Sequence, residues 1–317
     1  MPYRKWLGVA VTTGWLAAAL TPGRADEPTG PSRGRWTSGS HTLVVDGQER
    51  TFLLDVPPQV RPGAALVLVF HGYTDSAAGV RRAAGFTDLV EEHGFVAVYP
   101  QGTVDARGQT FFNVGYAFHA HEKVDDIRFV RELVARLVAD LELDARAVFS
   151  TGMSNGGDMS YLLATQPEPL VRAIAPVAGT MMTSWGRGFV PPEPMPVLAV
   201  HGRRDEVTKW EGDPDNRDGW GAYLSVDDVI RCWVQGLGAA QATRGARPDR
   251  APPRGSSVVV SGWSGAASEP AKGSQVLLYE LPDGGHDWPT HLGDARRATA
   301  DEIWGFFAAY RRPPAVR

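Results

Sequence analysis

Ser154 lies within Gly152-Met153-Ser154-Asn155-Gly156-Gly157, a G-x-S-x-G pattern. The apolar run Ala147–Ser150 precedes it directly, and a helix is expected from Asp158 to Thr165. A serine between glycines at a strand-to-helix turn is pushed out above the sheet edge, because only small residues fit so tight a bend. The same turn aims the first amides of the helix at the hydroxyl, where they suit a developing negative charge. The chemistry this prepares is nucleophilic attack on an acyl carbon.

A serine hydroxyl needs a base to take its proton. For a strand–turn–helix serine the partners are expected in the order acid, then histidine, each in a loop after a strand. Val197–Val200 leads into His201-Gly202-Arg203-Arg204-Asp205, and Val276–Glu280 leads into Pro282-Asp283-Gly284-Gly285-His286. Asp205 is therefore the expected acid, with Asp283 and Asp287 as fallbacks, and His286 the expected base, with His291 as its competitor. The expected oxyanion donors are the backbone amides of Asn155 and Tyr73, with Thr74 as the alternative to Tyr73. His71 is read as a packed, hydrogen-bonded histidine whose neighbouring backbone alone matters.

Aromatic and polar residues crowd the segment after the acid: Lys209, Trp210, Glu211, Asp213, Asp215 and Trp220. Aromatic faces beside carboxylates suit sugars or a phenolic acid, and a surface loop with packed tryptophans is the equal alternative. Trp210 and Trp288 are the expected substrate contacts. His119-Ala120-His121-Glu122, with Asp125 and Asp126, is the rival constellation. It lacks the four-residue spacing that sets two histidines on one helix face, so it is read as a polar loop and no metal is expected. Cys232 beside Trp233 reads as a small buried apolar residue.

These residues need a scaffold. Ala65–Phe70, Phe95–Tyr99, Ala147–Ser150, Ile174–Val177, Val197–Val200 and Val276–Glu280 are short apolar runs of the kind buried on both faces of a parallel sheet. Thr42–Asp46 and Thr51–Val56 read as strands joined at Gly47-Gln48. Val130, Leu133, Leu137 and Leu141 follow Ile127 on one helical stripe, with Asp125 and Asp126 at its N-terminus. Asp301 to Tyr310 closes the chain as a helix. The expected architecture is one α/β domain over 41–312: a mostly parallel, doubly wound sheet with helices on both faces and no large lid domain. Arg244 to Ser257 reads as an inserted Pro/Arg/Gly loop.

The chain of 317 residues is 43% hydrophobic and carries a net charge of −4, which fits a globular domain and gives no electrostatic footprint for nucleic acid. With one cysteine it can form no intramolecular disulfide and no multi-thiolate zinc site. Arg4 and Lys5, the apolar Trp6–Leu20 and the small residues around Ala25 read as a secretory signal over Met1 to Ala25, cut before Asp26. Residues 26–40 read as a flexible leader. Export follows as the expectation, with no stable membrane association once the signal is removed.

The motifs together resemble a secreted esterase family that groups polyhydroxybutyrate-depolymerase-like proteins with feruloyl and acetylxylan esterases. The resemblance rests on Phe70-His71-Gly72, Phe95 to Gly102, Val124-Asp125-Asp126, Gly152 to Gly157, Ala175 to Gly179, His201-Gly202 with Asp205, and Gly284-Gly285-His286 with Trp288-Pro289. It implies an α/β-hydrolase fold, a Ser154–His286–Asp205 triad, no cofactor and secretion. Tyr73 stands where relatives often have cysteine, and the cysteine often found after the helix holding Trp233 is missing, which weighs against the polymer-depolymerising branch. The expected activity is hydrolysis of feruloyl or acetyl esters on plant polysaccharide. Short hydroxyalkanoate esters come second, and a serine peptidase or a non-catalytic secreted binding protein are the other readings.

Overall fold

The chain enters the fold through a hairpin. Strand β1 (Gly39–Val45) pairs with β2 (Gln48–Asp55), and Val45 faces Gln48 across a two-residue turn. Asp46 and Gly47 both take positive φ, 51° and 76°, which is the type I′ geometry that matches strand twist. The turn is thus Asp46-Gly47, one residue earlier than expected. The computed structural model describes residues 36–238, 240–244, 258–265, 275–290, 292 and 299–311. The expected signal, the leader up to residue 35, residues 245–257 of the expected inserted loop, and His291 lie outside the described residues. The leader was expected to reach Ser40, but Trp36 is buried and Gly39 already belongs to β1, so its last residues are part of the domain.

Six parallel strands make the centre of the sheet: β3 (Leu66–Phe70), β4 (Val96–Pro100), β7 (Val148–Met153), β8 (Ala173–Val177), β9 (Val197–Gly202) and β12 (Gln275–Leu281). Their order is β4-β3-β7-β8-β9-β12, with β2 and β1 antiparallel on one edge and β11 (Val259–Gly265) and β10 (Ala240–Arg244) antiparallel on the other. Chain order reverses beside β3, since β4 lies on one side and β7 on the other. Crevices at such switch points, beyond the carboxyl ends of the strands, are where ligand sites form. A separate ribbon, β5 (Thr103–Val104) with β6 (Thr110–Phe111), stands above that end.

The β3 sequence shows why the sheet is covered twice. Leu66, Leu68 and Phe70 belong to one apolar cluster, Val67 and Val69 to the other, and all five are fully buried. The first cluster holds α3 (Asp126–Leu141), α4 (Asn155–Ala164) and α6 (Val226–Gln235) through Phe129, Leu133, Met159, Leu163, Ile230 and Trp233. The second holds α1 (Ala77–Ala84), α2 (Phe86–His93) and α7 (Thr299–Ala309) through Val80, Phe86, Leu89, Ile303 and Phe307. A single turn, α5 (Thr183–Gly186), follows β8.

Local chemistry sets the helix starts. Asp125 caps α3 by accepting from the Arg128 amide at 2.9 Å. Asp126 lies in the first turn, as expected for a charge at the helix N-terminus. It is also buried, bound to Arg50 at 2.5 Å and to the Asn113 amide at 2.7 Å, so it joins α3 to β2 and to the loop before the helix. No helix among the described residues is long and apolar enough to cross a membrane.

Candidate active site

The turn between β7 and α4 carries Ser154 at φ 54°, ψ −121°, a conformation outside the regions side chains favour. Strain of this kind costs about 1–3 kcal/mol and persists only where the surroundings hold it. The restraints are visible. The Ser154 amide donates to Val177 O at 2.9 Å, and Asp158 N closes the first helical bond onto Ser154 O at 2.9 Å. A Cβ on Gly152 would lie 2.6 Å from Gly156 C and 2.7 Å from Phe70 O, and one on Gly156 would press still closer on Phe70. Neither position tolerates a side chain.

Asn155 opens α4, so its amide has no acceptor inside the helix. Its side chain grips Phe112 from both sides, accepting from Phe112 N at 2.7 Å and donating to Phe112 O at 2.9 Å. The loop after β3 comes alongside: a Cβ on Gly72 would touch Ser154 Cβ at 3.5 Å. In that loop the Thr74 amide donates to Thr110 O at 2.9 Å, so it is engaged, whereas the Tyr73 amide has no acceptor among the described residues. The amides of Asn155 and Tyr73 are thus without an acceptor among the described residues, one at the start of the helix after Ser154 and one in the loop beside it. His71 fixes the loop from beneath. Its Nδ1 donates to Gly72 O at 2.7 Å, and its Nε2 accepts from Gly102 N at 3.0 Å. Burial holds the His71 ring neutral by lowering its pKa.

The structure brings Asp205 and His286 together. His286 Nδ1 donates to Asp205 Oδ2 at 2.8 Å, while Asp205 Oδ1 accepts from the amides of Val207 and Thr208 at 2.9 and 2.8 Å. With its proton on Nδ1, the neutral ring leaves Nε2 bare, the form a general base requires. His201 adds a second imidazole behind the acid. Its Nε2 donates to Thr208 O at 2.7 Å and lies 3.6 Å from Asp205 Oδ2, and burial lowers its pKa. The two loops dock backbone to backbone, since a Cβ on Gly202 would fall 2.6 Å from Gly284 C and Gly285 O. Of the fallback acids, Asp283 pairs with Arg204 at 2.6 Å on the surface and Asp287 is exposed.

Ser154 shares a small cavity with Tyr116, Asp158, Thr180, Trp220 and Tyr223. Val207 and Thr208, whose amides hold Asp205, form part of the same wall. The charges on His286 and Asp205 both act on Asp158. Among the described residues no hydrogen bond joins the Ser154 hydroxyl to His286, whose ring is held by Asp205.

Neither expected substrate contact lines this cavity. Trp210 is 2% exposed, with the Arg203 guanidinium 3.7 Å above its ring and its Nε1 directed at Asp227. It is a core residue under the acid loop. Trp288 packs with the cluster on the other sheet face and does not line the cavity. Trp220, from the same crowded segment, is the tryptophan that reaches the cavity, edge-on to Tyr73 and Tyr116. The sequence reading missed Asp158, Tyr116, Thr180 and Tyr223. A carboxylate four residues after the serine, one helical turn on, was the signal available for Asp158. The His119 segment turns inward: buried His119 Nε2 lies 2.9 Å from Asp105 Oδ2, which also accepts from Tyr73 OH at 2.8 Å, while His121 is exposed. No group of three metal-ligating side chains forms among the described residues. Cys232 is half-buried on α6, its Sγ 3.9 Å from Gly186 O.

Comparison with solved structures decides the fold. An acetyl xylan esterase from Aspergillus awamori superposes with a TM-score of 0.58 at 15% identity, over 86% of this chain and 99% of that one. The chain has the α/β-hydrolase fold. Among curated relatives, a probable feruloyl esterase C from Aspergillus clavatus is 27% identical over 92% of this chain and 95% of its own length. A poly(3-hydroxyalkanoate) depolymerase C from Paucimonas lemoignei is 29% identical over 41% of this chain and 32% of its own. No protein-family model matches the chain. The resemblance to the feruloyl and acetylxylan esterase group is borne out by these relatives.

Proposed function

We propose that this chain is an exported carboxylic-ester hydrolase working through an acyl-enzyme on Ser154. The observation that carries the reading is the Asp205–His286 bond at 2.8 Å, which leaves the far imidazole nitrogen able to take a proton, together with the strained turn that carries Ser154. Ser154 Oγ attacks the ester carbonyl as His286 Nε2 takes its proton. Asp205 holds the ring and stabilises the cation that forms. The amides of Asn155 and Tyr73 receive the oxyanion. His286 then protonates the departing alcohol, and water, activated by the same ring, releases the acid and regenerates Ser154.

Feruloyl or acetyl esters on plant polysaccharide are the substrate class supported by the relatives' names, with short hydroxyalkanoate esters second. Trp220, Tyr223 and Tyr116 line the small cavity at Ser154, so aromatic rings stand close to the nucleophile. The test is a panel of p-nitrophenyl acetate, methyl ferulate, acetylated xylan, hydroxybutyrate oligomers and a peptide anilide. Ser154→Ala should lower kcat on the preferred ester by about 10⁴ or more with folding unchanged. Turnover near the parent rate in that variant would remove Ser154 from the mechanism. Release of the anilide instead of the esters would make the enzyme a peptidase.

A further inference from the structure

Asp158 is a buried carboxylate that the triad mechanism does not use. It sits one helical turn beyond Ser154, on the wall of the same cavity, with 2% of its surface exposed. Its Oδ2 accepts from Tyr116 OH at 2.7 Å and its Oδ1 from the Thr180 amide at 2.6 Å. One side chain therefore ties the nucleophile helix to the loop before α3 and to the loop after β8. Its field also reaches the acid–base pair, since His286 favours the ionised form of Asp158 and Asp205 opposes it.

Resting on the serine mechanism above, we propose that Asp158 is a positioning residue that acts as a second carboxylate for the triad. It fixes Tyr116 and Thr180 around the nucleophile and, when ionised, stabilises the positive charge His286 gains as the Ser154 proton moves onto it. Attraction between charges is mutual, so the imidazolium that favours the Asp158 anion is favoured by it in turn. The low polarity of a buried site makes such a charge felt more strongly than on the surface.

The groups facing Asp158 make its ionisation separable. Tyr116 from the loop before α3, Tyr161 from its own helix and Tyr223 from the segment before α6 all have phenols pushed upward by burial, Tyr223 to about 12, so they stay neutral around pH 7. Burial pushes the Asp158 carboxyl up to about 7, with the Thr180 and Tyr116 hydrogen bonds and His286 working against that rise. Asp205 and His286 remain in any Asp158 variant.

The experiment compares kcat/KM on p-nitrophenyl acetate for the parent and Asp158→Asn between pH 5 and pH 9. The ratio of parent to variant should change with pH, rising by on the order of fivefold to tenfold from pH 5 to pH 9 as the charge appears. A purely structural Asp158 would give a ratio that does not change with pH, and that result overturns the proposal. Tyr116→Phe serves as the second variant should Asp158→Asn fail to fold. Without the phenol's hydrogen bond the carboxylate is harder to ionise, so the activity step should move to higher pH, and an unmoved step would also overturn the proposal. Ser154→Ala is run alongside. Activity retained there removes the serine mechanism itself, whereas activity lost there with a flat Asp158 ratio removes only the role given to Asp158.

Discussion

At the scale of single residues, Asp205 shows how much one carboxylate organises. One oxygen is occupied by the Val207 and Thr208 amides and the other by His286, so the side chain has no freedom to turn. Asp205→Asn can keep the two amide bonds through its carbonyl oxygen but presents an NH₂ to His286. The ring must then expose Nδ1 as acceptor and carry its proton on Nε2, where Ser154 needs a base. The expected loss in kcat is about 10³–10⁴-fold, with the melting temperature moved far less than activity. A variant within tenfold of the parent would show that another group orients the imidazole. Asp205 and His286 were legible in the sequence because each follows an apolar run at a strand's end, and the Gly-Gly before His286 allows the loops to meet. Trp210 was misread for a physical reason: an indole beside charged residues has the same sequence signature whether it faces solvent or lies under a guanidinium. Asp158 was hidden because an acid near a helix start reads as a partner for the helix dipole, and only the folded chain shows that it is buried under Tyr116.

At the scale of elements, the β7–α4 turn and its neighbours form the most constrained part of the domain. The apolar runs located β3, β4, β7, β8, β9 and β12 within a few residues, since strands buried on both faces leave an unbroken apolar signature. β10 and β11 went unread. Their sequences, AQATR and VVSGWSG, mix polar and small residues, as strands at a sheet edge do. The short β5–β6 ribbon was equally invisible, because two-residue strands have no periodicity to detect. The elbow gives a sharp test of how tightly α4 packs on β3. Gly152→Ala would set a methyl 2.6 Å from Gly156 C and 2.7 Å from Phe70 O, all of it backbone with nothing flexible to yield. Relief requires the helix to shift away from the sheet, and the expected destabilisation is about 2–4 kcal/mol, the range of severe overpacking. Chemical denaturation would measure it. A loss below about 0.5 kcal/mol, the size of an ordinary surface change, would mean that the elbow is looser than drawn.

At the scale of the whole molecule, the two apolar clusters clamp the sheet, and several ionisable groups are sealed in or beside them with opposite preferences. His71 and His201 are held neutral, their folded pKa values lowered by burial. The unfolded chain protonates them first, so their contribution to stability is lost as pH falls below the ordinary histidine range. Asp158 has the contrary sign. Its folded carboxyl titrates at about 7 against an ordinary value of 3.8, so between those limits the folded state holds a proton the unfolded state has released. Stability from this group therefore falls as pH rises through that window. Asp105 is held well below the ordinary carboxylate range by hydrogen bonds from His119, Gln109, Tyr73 and Arg107, which outweigh burial. Its contribution is present at neutral pH and fades only in acid below about pH 4, outside the window. A pH scan of the parent alone would mix these slopes, but Asp158→Asn leaves the histidines and Asp105 in place. The difference in unfolding free energy between parent and variant should therefore move in the parent's favour on going from pH 7.5 to pH 5, by about 2–3 kcal/mol. Denaturant titrations at the two pH values measure it. A difference independent of pH would place the Asp158 ionisation outside this range and remove the basis for a pH-dependent charge beside His286.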